Sequence, residues 1–156
     1  VAALDRQHPR DLFDVQLMLA THGWDEPLLD CFVVYLAGHN RPTHEVLFPK
    51  EKPLEAVFAT EFEGMTLAPV ALPELLATRQ RMLTELPQAL LPRHRDFLLS
   101  MLRAEPDWSL LPHAHLGQLP ALQWKLQNLL RLKKNAAKFK MQHDELAARL
   151  HRAAQP

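Results

Sequence analysis

The stretch DEPLLDCFVVYLAGHNRP, residues 25–42, decides the fold class. Asp25 is suited to cap the N-terminus of a helix, and Pro27 falls in the first turn, where its missing N–H is not needed. The apolar positions recur three and four residues apart, the period of one helical face: Leu28, Leu29, Phe32, Val33, Leu36 and Ala37. Gly38 and Pro42 mark the end. This pattern predicts a buried helix over residues 26–37.

The same period recurs along the rest of the chain, and no segment alternates long enough to predict a strand. Only 4 Gly and 1 Tyr occur, which favours helix over sheet, and 13 Pro divide the helices into short pieces. Pro87 and Pro92 are expected to bracket one break. Further helices are predicted to begin at Pro9, Pro53, Leu72, Arg93, Pro120 and Ala136, and a short helical turn at Thr43. We therefore predict an all-α bundle of about six or seven short helices in a single domain, residues 1–156.

Composition excludes several classes of protein. The apolar share of 47% is enough to form a core, which argues against disorder. No apolar run approaches the roughly 20 residues that span a membrane, so no membrane partner is expected. The single Cys31 allows no internal disulfide and fits a reducing cytoplasm. Its apolar neighbours predict a buried thiol, and Trp24, Trp108 and Trp124 are expected to anchor the core.

The net charge is zero, but it is unevenly distributed. Residues 1–124 contain 10 Lys and Arg against 16 Asp and Glu, whereas residues 125–156 contain 8 against 2. A basic helix face suits a phosphate backbone, and the alternative is a solvated face that complements the acidic part of the same molecule. The candidate nucleic-acid-binding residues are Lys125, Arg131, Lys133, Lys134 and Lys138.

A second candidate site lies in RQHPRDLFDV, residues 6–15. Pro9 is suited to the first position of a helix, which places Asp11 and Asp14 on one helical face. Two such carboxylates can position a metal ion with a substrate phosphate, or one can accept a proton from a hydroxyl nucleophile. The structural alternative is ordinary: Asp11 favours the positive end of the helix, and Arg10 pairs with Asp14 four residues on.

Other motifs carry little chemical information. His113 and His115 resemble a pair of metal ligands, but no Cys or third His follows at zinc-site spacing, so no metal site is predicted. The polar loop from His39 to Pro42 is either a capped turn or a binding loop. No dinucleotide-binding glycine motif, P-loop or nucleophile elbow is present.

Several stretches, in this order, resemble the AbiEii/AbiGii toxins, nucleotidyltransferases of type IV toxin–antitoxin and abortive-infection systems. They are RQHPRDLFDV, FVVYLAGHNRP, EFEGMT, FLLSM followed by PDWSLL, and LPALQWKLQNL, and together they extend over nearly the whole chain. Family members carry a Lys-containing motif with a downstream Arg, then an Arg-Asp…Asp motif. Arg6 matches the end of the first motif, and Arg10, Asp11 and Asp14 match the second.

The resemblance implies a two-lobe enzyme. An N-terminal lobe, with a GS motif and an acidic metal-binding motif, is completed by a helical C-terminal lobe. Neither motif occurs in this sequence, so we expect a C-terminal lobe cut close to the active site and inactive by itself. Mg²⁺ and an NTP are implied for the complete enzyme and no cofactor for this chain. An RNA acceptor and a cognate antitoxin are the implied partners.

The resemblance also suggests roles for individual residues. Asp14, with Asp11 as the second candidate, would act as base toward an acceptor hydroxyl or help to position metal and nucleotide. Arg10 would steer phosphates or orient the acids, and Arg6 would contact the substrate. Two other hypotheses remain open: a non-catalytic module that binds nucleic acid or a partner protein, and a plain helical structural domain.

Overall fold

A computed structural model describes residues 1–155, and every regular element in that range is helical. The predicted all-α class is therefore confirmed. The α-helices are α1 (Ala2–Arg6), α2 (Pro9–Thr21), α3 (Glu26–Ala37), α4 (Thr43–Leu47), α5 (Glu55–Glu61), α6 (Leu72–Ala89), α7 (Pro92–Leu102), α8 (Pro120–Lys133) and α9 (Ala136–Ala153). Two short 3₁₀ helices, Trp108–Leu110 and Leu116–Gln118, lie between α7 and α8.

Local hydrogen bonds explain where the helices begin. The Asp25 carboxylate accepts from the Leu28 N–H at 2.9 Å and caps α3, as the sequence predicted. Asn135 accepts from the Lys138 N–H at 3.1 Å, so the same residue interrupts the chain after α8 and caps α9. These contacts satisfy backbone donors that a helix leaves unpaired in its first turn.

Two features of the helix order differ from the prediction. The short α1 was not predicted, because five residues are too few to show a helical period. The break that Pro87 and Pro92 were expected to bracket lies between them, but it is confined to Leu90 and Leu91 because α6 continues through Pro87 to Ala89. Pro87 lies in the last turn and its ring is buried, so α6 loses one backbone hydrogen bond there while retaining its packing.

The core is assembled from one face of each longer helix. Helix α2 packs most extensively against α6, and α3 against α7, whereas α9 packs on α8, α4 and α7. Phe97 of α7 is completely buried, and its ring lies 6.0 Å from that of Trp108 between centroids. Truncating a buried Phe to Ala costs about 3–5 kcal/mol. The apolar helix faces predicted from the sequence therefore pack together into one core, which holds the helices in place.

Helix α8 closely approaches the end of α3. A Cβ atom at Gly38 would lie 3.2 Å from the Cβ of Ala121, so a larger residue at position 38 would push the two helices apart. Beside this contact, the Lys125 ammonium donates to the backbone carbonyls of His39 at 2.6 Å and Arg41 at 2.8 Å. The polar loop after α3 is thereby fixed to α8.

Two burial predictions are wrong. Cys31 is exposed, because the buried stripe of α3 passes through Leu29, Val33 and Leu36 and turns the thiol outward. Trp124 is 58% exposed on the outer side of α8. No helix within residues 1–155 is long and apolar enough to cross a membrane.

Candidate active site at the start of helix α2

Helix α2 begins with the segment that carries the candidate acids. Pro9 is its first residue, and the His8 ring accepts from the Arg10 N–H at 3.2 Å through Nδ1. Leu12 is fully buried and fixes the rotation of the helix, so that Asp14 faces solvent. Arg10, Asp11 and Asp14 therefore lie within the first two turns at one edge of the molecule.

Asp11 is held by an arginine that precedes the helix. Its two carboxylate oxygens accept from Arg6 Nε at 3.1 Å and from Arg6 Nη2 at 2.6 Å. This two-point contact matches the planar guanidinium to the carboxylate and fixes the orientation of both groups. The Asp11 side chain is only 16% exposed, whereas Arg6 is 65% exposed. The negative charge of Asp11 is thus already paired with the positive charge of Arg6 in this chain.

Arg10 does not pair with Asp14, so that structural alternative is wrong. Its guanidinium instead donates to the backbone carbonyl of Glu61, with Nη2 at 3.2 Å and Nε at 3.4 Å. The Glu61 carboxylate lies 3.1 Å from His8 Nε2. Because the His8 Nδ1 accepts from the backbone, its Nε2 is the nitrogen that donates to Glu61. The end of α5 therefore anchors the start of α2.

Asp14 has no ion-pair partner among residues 1–155 and opens onto a shallow cavity of about 430 Å³. We call this space the Asp14 cavity; its walls are Arg10, Phe13, Asp14, Phe62, Met65 and Thr66. The Phe13 and Phe62 ring centroids are 5.8 Å apart, and Phe58 lies 5.6 Å from Phe62, which forms an aromatic wall. A guanidinium and an unpaired carboxylate thus share one apolar-walled cavity.

The second wall of the Asp14 cavity was not identified from the sequence. The stretch EFEGMT, residues 61–66, supplies Phe62, Met65 and Thr66. This stretch is one of those that carry the family resemblance, and only that resemblance indicated in the sequence that it belongs to the site. Its distance of about 50 residues from α2 concealed the contact, because only the packing of α5 on α2 brings the two segments together.

The basic candidates separate into two groups. Lys125 is 6% exposed, and burial lowers its pKa from 10.5 to about 8. Its ammonium donates hydrogen bonds to two carbonyls of the loop after α3, so Lys125 does not contribute to an exposed basic face. Arg131, Lys134 and Lys138 are exposed around the turn between α8 and α9. Lys133, in the same region, pairs with Glu105 at 2.9 Å.

These basic residues do not line the Asp14 cavity. Helix α2 packs on α1, α5 and α6, whereas α8 packs on α3 and α9. The acidic and basic candidates are therefore two separate features of the surface and do not form one composite site.

The described residues do not fit a metal site by themselves. Among residues 1–155 no three His, Cys, Asp or Glu side chains are grouped as metal ligands. One of the two candidate carboxylates, Asp11, is occupied by Arg6. Mg²⁺ often keeps several waters and binds one or two carboxylates together with substrate phosphates. No residue of this chain is assigned to a metal ion.

A buried ionisable cluster between α3 and α7 also escaped the sequence analysis. His94 is completely buried; its Nδ1 accepts from the Leu91 N–H at 3.2 Å, and its Nε2 donates to Asp30 Oδ1 at 2.7 Å. Arg93 donates to the same oxygen at 2.6 Å. Burial opposes the charge on Asp30, but the hydrogen bonds from Arg93 and His94 outweigh it, and its pKa is lowered.

The fold and the Asp14 cavity define an all-helical module that holds a guanidinium and an unpaired carboxylate side by side at one helix start. The sequence model of the nucleotidyl transferase AbiEii toxin family of type IV toxin–antitoxin systems matches residues 1–128. The chain therefore belongs to this family. No curated protein and no solved structure matches the chain.

The extent of the family match is informative. It includes both walls of the Asp14 cavity, from Arg10 to Thr66, and it includes Lys125. It ends before Arg131, so most of the basic face and all of α9 lie outside it. The family resemblance is therefore confirmed over residues 1–128, and the Asp14 cavity is the candidate site that lies entirely within this matched part.

Proposed function

We propose that this chain is the helical C-terminal portion of a nucleotidyltransferase toxin, and that it supplies the acceptor side of the active centre. The observation that supports this proposal most directly is that the Asp14 carboxylate has no ion-pair partner within residues 1–155 and shares a cavity with Arg10. Membership of the AbiEii family supports nucleotide transfer as the reaction. RNA is the proposed acceptor, and a cognate antitoxin is the proposed protein partner.

The proposed chemistry assigns one proton to Asp14. An acceptor hydroxyl oxygen attacks the α-phosphorus of an NTP, a new P–O bond forms, and the bond to the leaving pyrophosphate breaks. Asp14 accepts the hydroxyl proton, which keeps the attacking oxygen nucleophilic. Arg10 can exchange its contact with the Glu61 carbonyl for a phosphate oxygen, because an arginine binds phosphate more strongly than it binds a neutral carbonyl.

The proposal places the triphosphate and Mg²⁺ on another lobe. Two observations support this division. The carboxylates of α2 are not grouped as a metal site. In addition, α2 and α3 border an apolar cavity of about 410 Å³, whose walls include Val15, Met18 and Phe32. Such a surface suits contact with a further folded unit. We therefore expect no transfer from these residues acting alone.

The test compares the chain with the complete product of its gene. Both are incubated with Mg²⁺, RNA and NTPs labelled in the α-phosphate, and label in RNA is measured. We expect transfer by the complete product and none by residues 1–156 alone. Asp14→Asn should lower the rate about 10²- to 10⁴-fold, the usual contribution of a general base. The control is Glu74→Gln, which changes an exposed acid of α6. Transfer by the chain alone, or full activity of the Asp14 variant, would contradict the proposal.

A second candidate function is nucleic-acid binding without chemistry. The exposed side chains of Arg131, Lys134 and Lys138 favour it, because they surround one helix–helix turn without acidic partners among the ion pairs of the described chain. This surface, which we call the α8–α9 corner, would contact the phosphate backbone of an RNA in a salt-dependent manner. It is compatible with the first proposal as a docking surface for the acceptor.

A further inference from the structure

The Asp14 cavity contains more apolar surface than proton transfer requires. The turn after α5 directs Met65 into it, and this side chain remains 60% exposed. Leu67, two residues later, is fully exposed. Gly64 shapes the turn with φ +78°, a backbone conformation that side chains rarely adopt. A flexible thioether, an aromatic wall and the unpaired carboxylate thus line the same cavity.

The composition of the wall suits an aromatic ligand. Phe62 is 3% exposed and forms the floor, whereas the half-buried Phe13 presents an accessible part of its ring. Thioether sulfur makes favourable contacts with aromatic rings, and Met adapts its shape to its partner. Arg10, Asp14 and Thr66 supply the polar groups of the cavity. An apolar cavity with a few convergent polar groups is typical of small-ligand sites.

We propose that the Asp14 cavity binds a nucleobase of the acceptor RNA, with the base between the Met65 thioether and the Phe13 ring. The inference rests on the proposed function, since it places the sugar hydroxyls of that nucleotide toward Asp14. Met65 is then a base-stacking residue of the acceptor site. Stacking on such surfaces tolerates every base, because each base has an aromatic face.

The chain's methionines provide a direct test. The sequence has five, and Met65 and Met141 are 60% and 56% exposed, so Met141 is a matched control on α9. The protein is labelled with ¹³C in its methionine methyl groups and titrated with the four nucleosides at millimolar concentrations. Nucleosides lack phosphate and are not attracted by the α8–α9 corner. We expect a saturable ring-current shift of the Met65 methyl resonance, while the Met141 resonance stays in place.

A variant pair gives an independent measurement. Met65→Ala should weaken nucleoside binding roughly two- to tenfold, the range expected for losing a sulfur–aromatic contact. Met141→Ala should leave the affinity unchanged. Binding to these variants is followed on the ring protons of the nucleoside by saturation transfer, so the readout does not require the methyl group that was removed. Both residues are exposed, and both variants should unfold at the wild-type temperature.

Each outcome decides the inference. A shift confined to Met65 supports it. A shift confined to Met141, or no shift at either methyl, overturns it. If both methyl resonances shift, the inference stands only when Met65→Ala lowers the affinity. The titration does not depend on catalysis. If nucleotide transfer depends on Asp14 but the Met65 methyl resonance does not shift, this inference is refuted and the proposed function stands.

Discussion

Asp30 and Asp14 are both helical carboxylates next to an arginine, but the structure surrounds them differently. Asp30 lies between α3 and α7 with its side chain 7% exposed, and one of its oxygens accepts hydrogen bonds from both Arg93 and His94. Asp14 is exposed on α2, and its neighbour Arg10 donates to a backbone carbonyl instead. The first carboxylate has its partners within the chain, whereas the second is available to a ligand.

The same contrast separates the lysines. Lys125 resembles Asp30, because its buried ammonium donates hydrogen bonds to two backbone carbonyls of the chain. Lys134 and Lys138 resemble Asp14, because they are exposed. Charge and position in the sequence do not distinguish these two kinds of residue. Satisfied buried charges maintain the fold, and exposed charges without partners are the candidates for function.

The largest effect on stability should come from breaking the buried cluster. Asp30→Ala leaves His94 and Arg93 without their shared acceptor, and we expect a loss of about 3–5 kcal/mol in the free energy of unfolding. Urea unfolding followed by circular dichroism measures it. Glu26 is the exposed partner of the same arginine, at 2.6 Å. Glu26→Ala should therefore cost less than about 1 kcal/mol. Equal losses would show that Asp30 is not the centre of the cluster.

The pH dependence of the same cluster has a definite sign. The pKa of Asp30 is lowered by the hydrogen bonds from Arg93 and His94, which outweigh the opposing effect of burial. Asp30 thus contributes stability above the ordinary pKa of a carboxyl group, and this contribution is lost as the pH falls through its lowered pKa. Asp30→Ala should accordingly lose less stability than the wild type on acidification. A parallel pH profile for the two proteins would contradict the assignment.

The second largest effect should come from Lys125→Met. The methionine removes a buried charge but leaves the carbonyls of His39 and Arg41 without a donor, for a net cost of about 1–3 kcal/mol at pH 7. The pKa of Lys125 is lowered to about 8 by burial. The cost of burying its charge is fully present below that pH and is relieved as the pH rises toward 10.5.

The measurement for Lys125 is again urea unfolding, now at several pH values. Because the unfolded wild type binds the proton more tightly than the folded protein does, the stability difference between wild type and Lys125→Met should grow between pH 8 and 10.5. A difference that stays constant or shrinks over this interval would show that burial does not lower the pKa of Lys125.

The sequence predicted the fold class well because helical periods and caps are local. Asp25 and Pro9 act within four residues of themselves, so their roles at the helix starts were visible along the chain. Burial of single side chains was less predictable. Cys31 and Trp124 lie in apolar surroundings in the sequence, yet a rotation of the helix by one residue turns such side chains to solvent.

Only one of the two walls of the candidate site was predicted from the sequence. The acids of α2 were visible because the motif is contiguous, but the wall formed by Met65 and Thr66 depends on the packing of α5 against α2. Contacts between residues far apart in sequence require the fold. The pairing of Arg6 with Asp11, rather than Arg10 with Asp14, was not predicted because it depends on the left-handed turn at Gln7 between α1 and α2.

A smaller effect is expected at the α8–α9 corner. The double variant Lys134→Gln, Lys138→Gln should weaken binding of single-stranded RNA and reduce the dependence of the logarithm of the binding constant on the logarithm of salt concentration by roughly 0.7 per lysine. Fluorescence anisotropy with labelled RNA at several salt concentrations measures both. Lys125→Met serves as control, because its ammonium is buried, and should leave the salt dependence unchanged. An equal response of all three lysines would remove the distinction between buried and exposed charges.

The smallest expected effect separates the two carboxylates of α2. Asp11→Asn breaks the two-point contact with Arg6 and removes a negative charge from the first turn of the helix, so it should cost up to about 1 kcal/mol. Asp14→Asn removes no ion pair within the described chain and should leave the urea midpoint unchanged. In high salt the Asp11 variant should approach the wild type, since screening weakens both of its interactions. If Asp14→Asn instead destabilises the protein as much as Asp11→Asn, its carboxylate has a structural partner and is not available as a base.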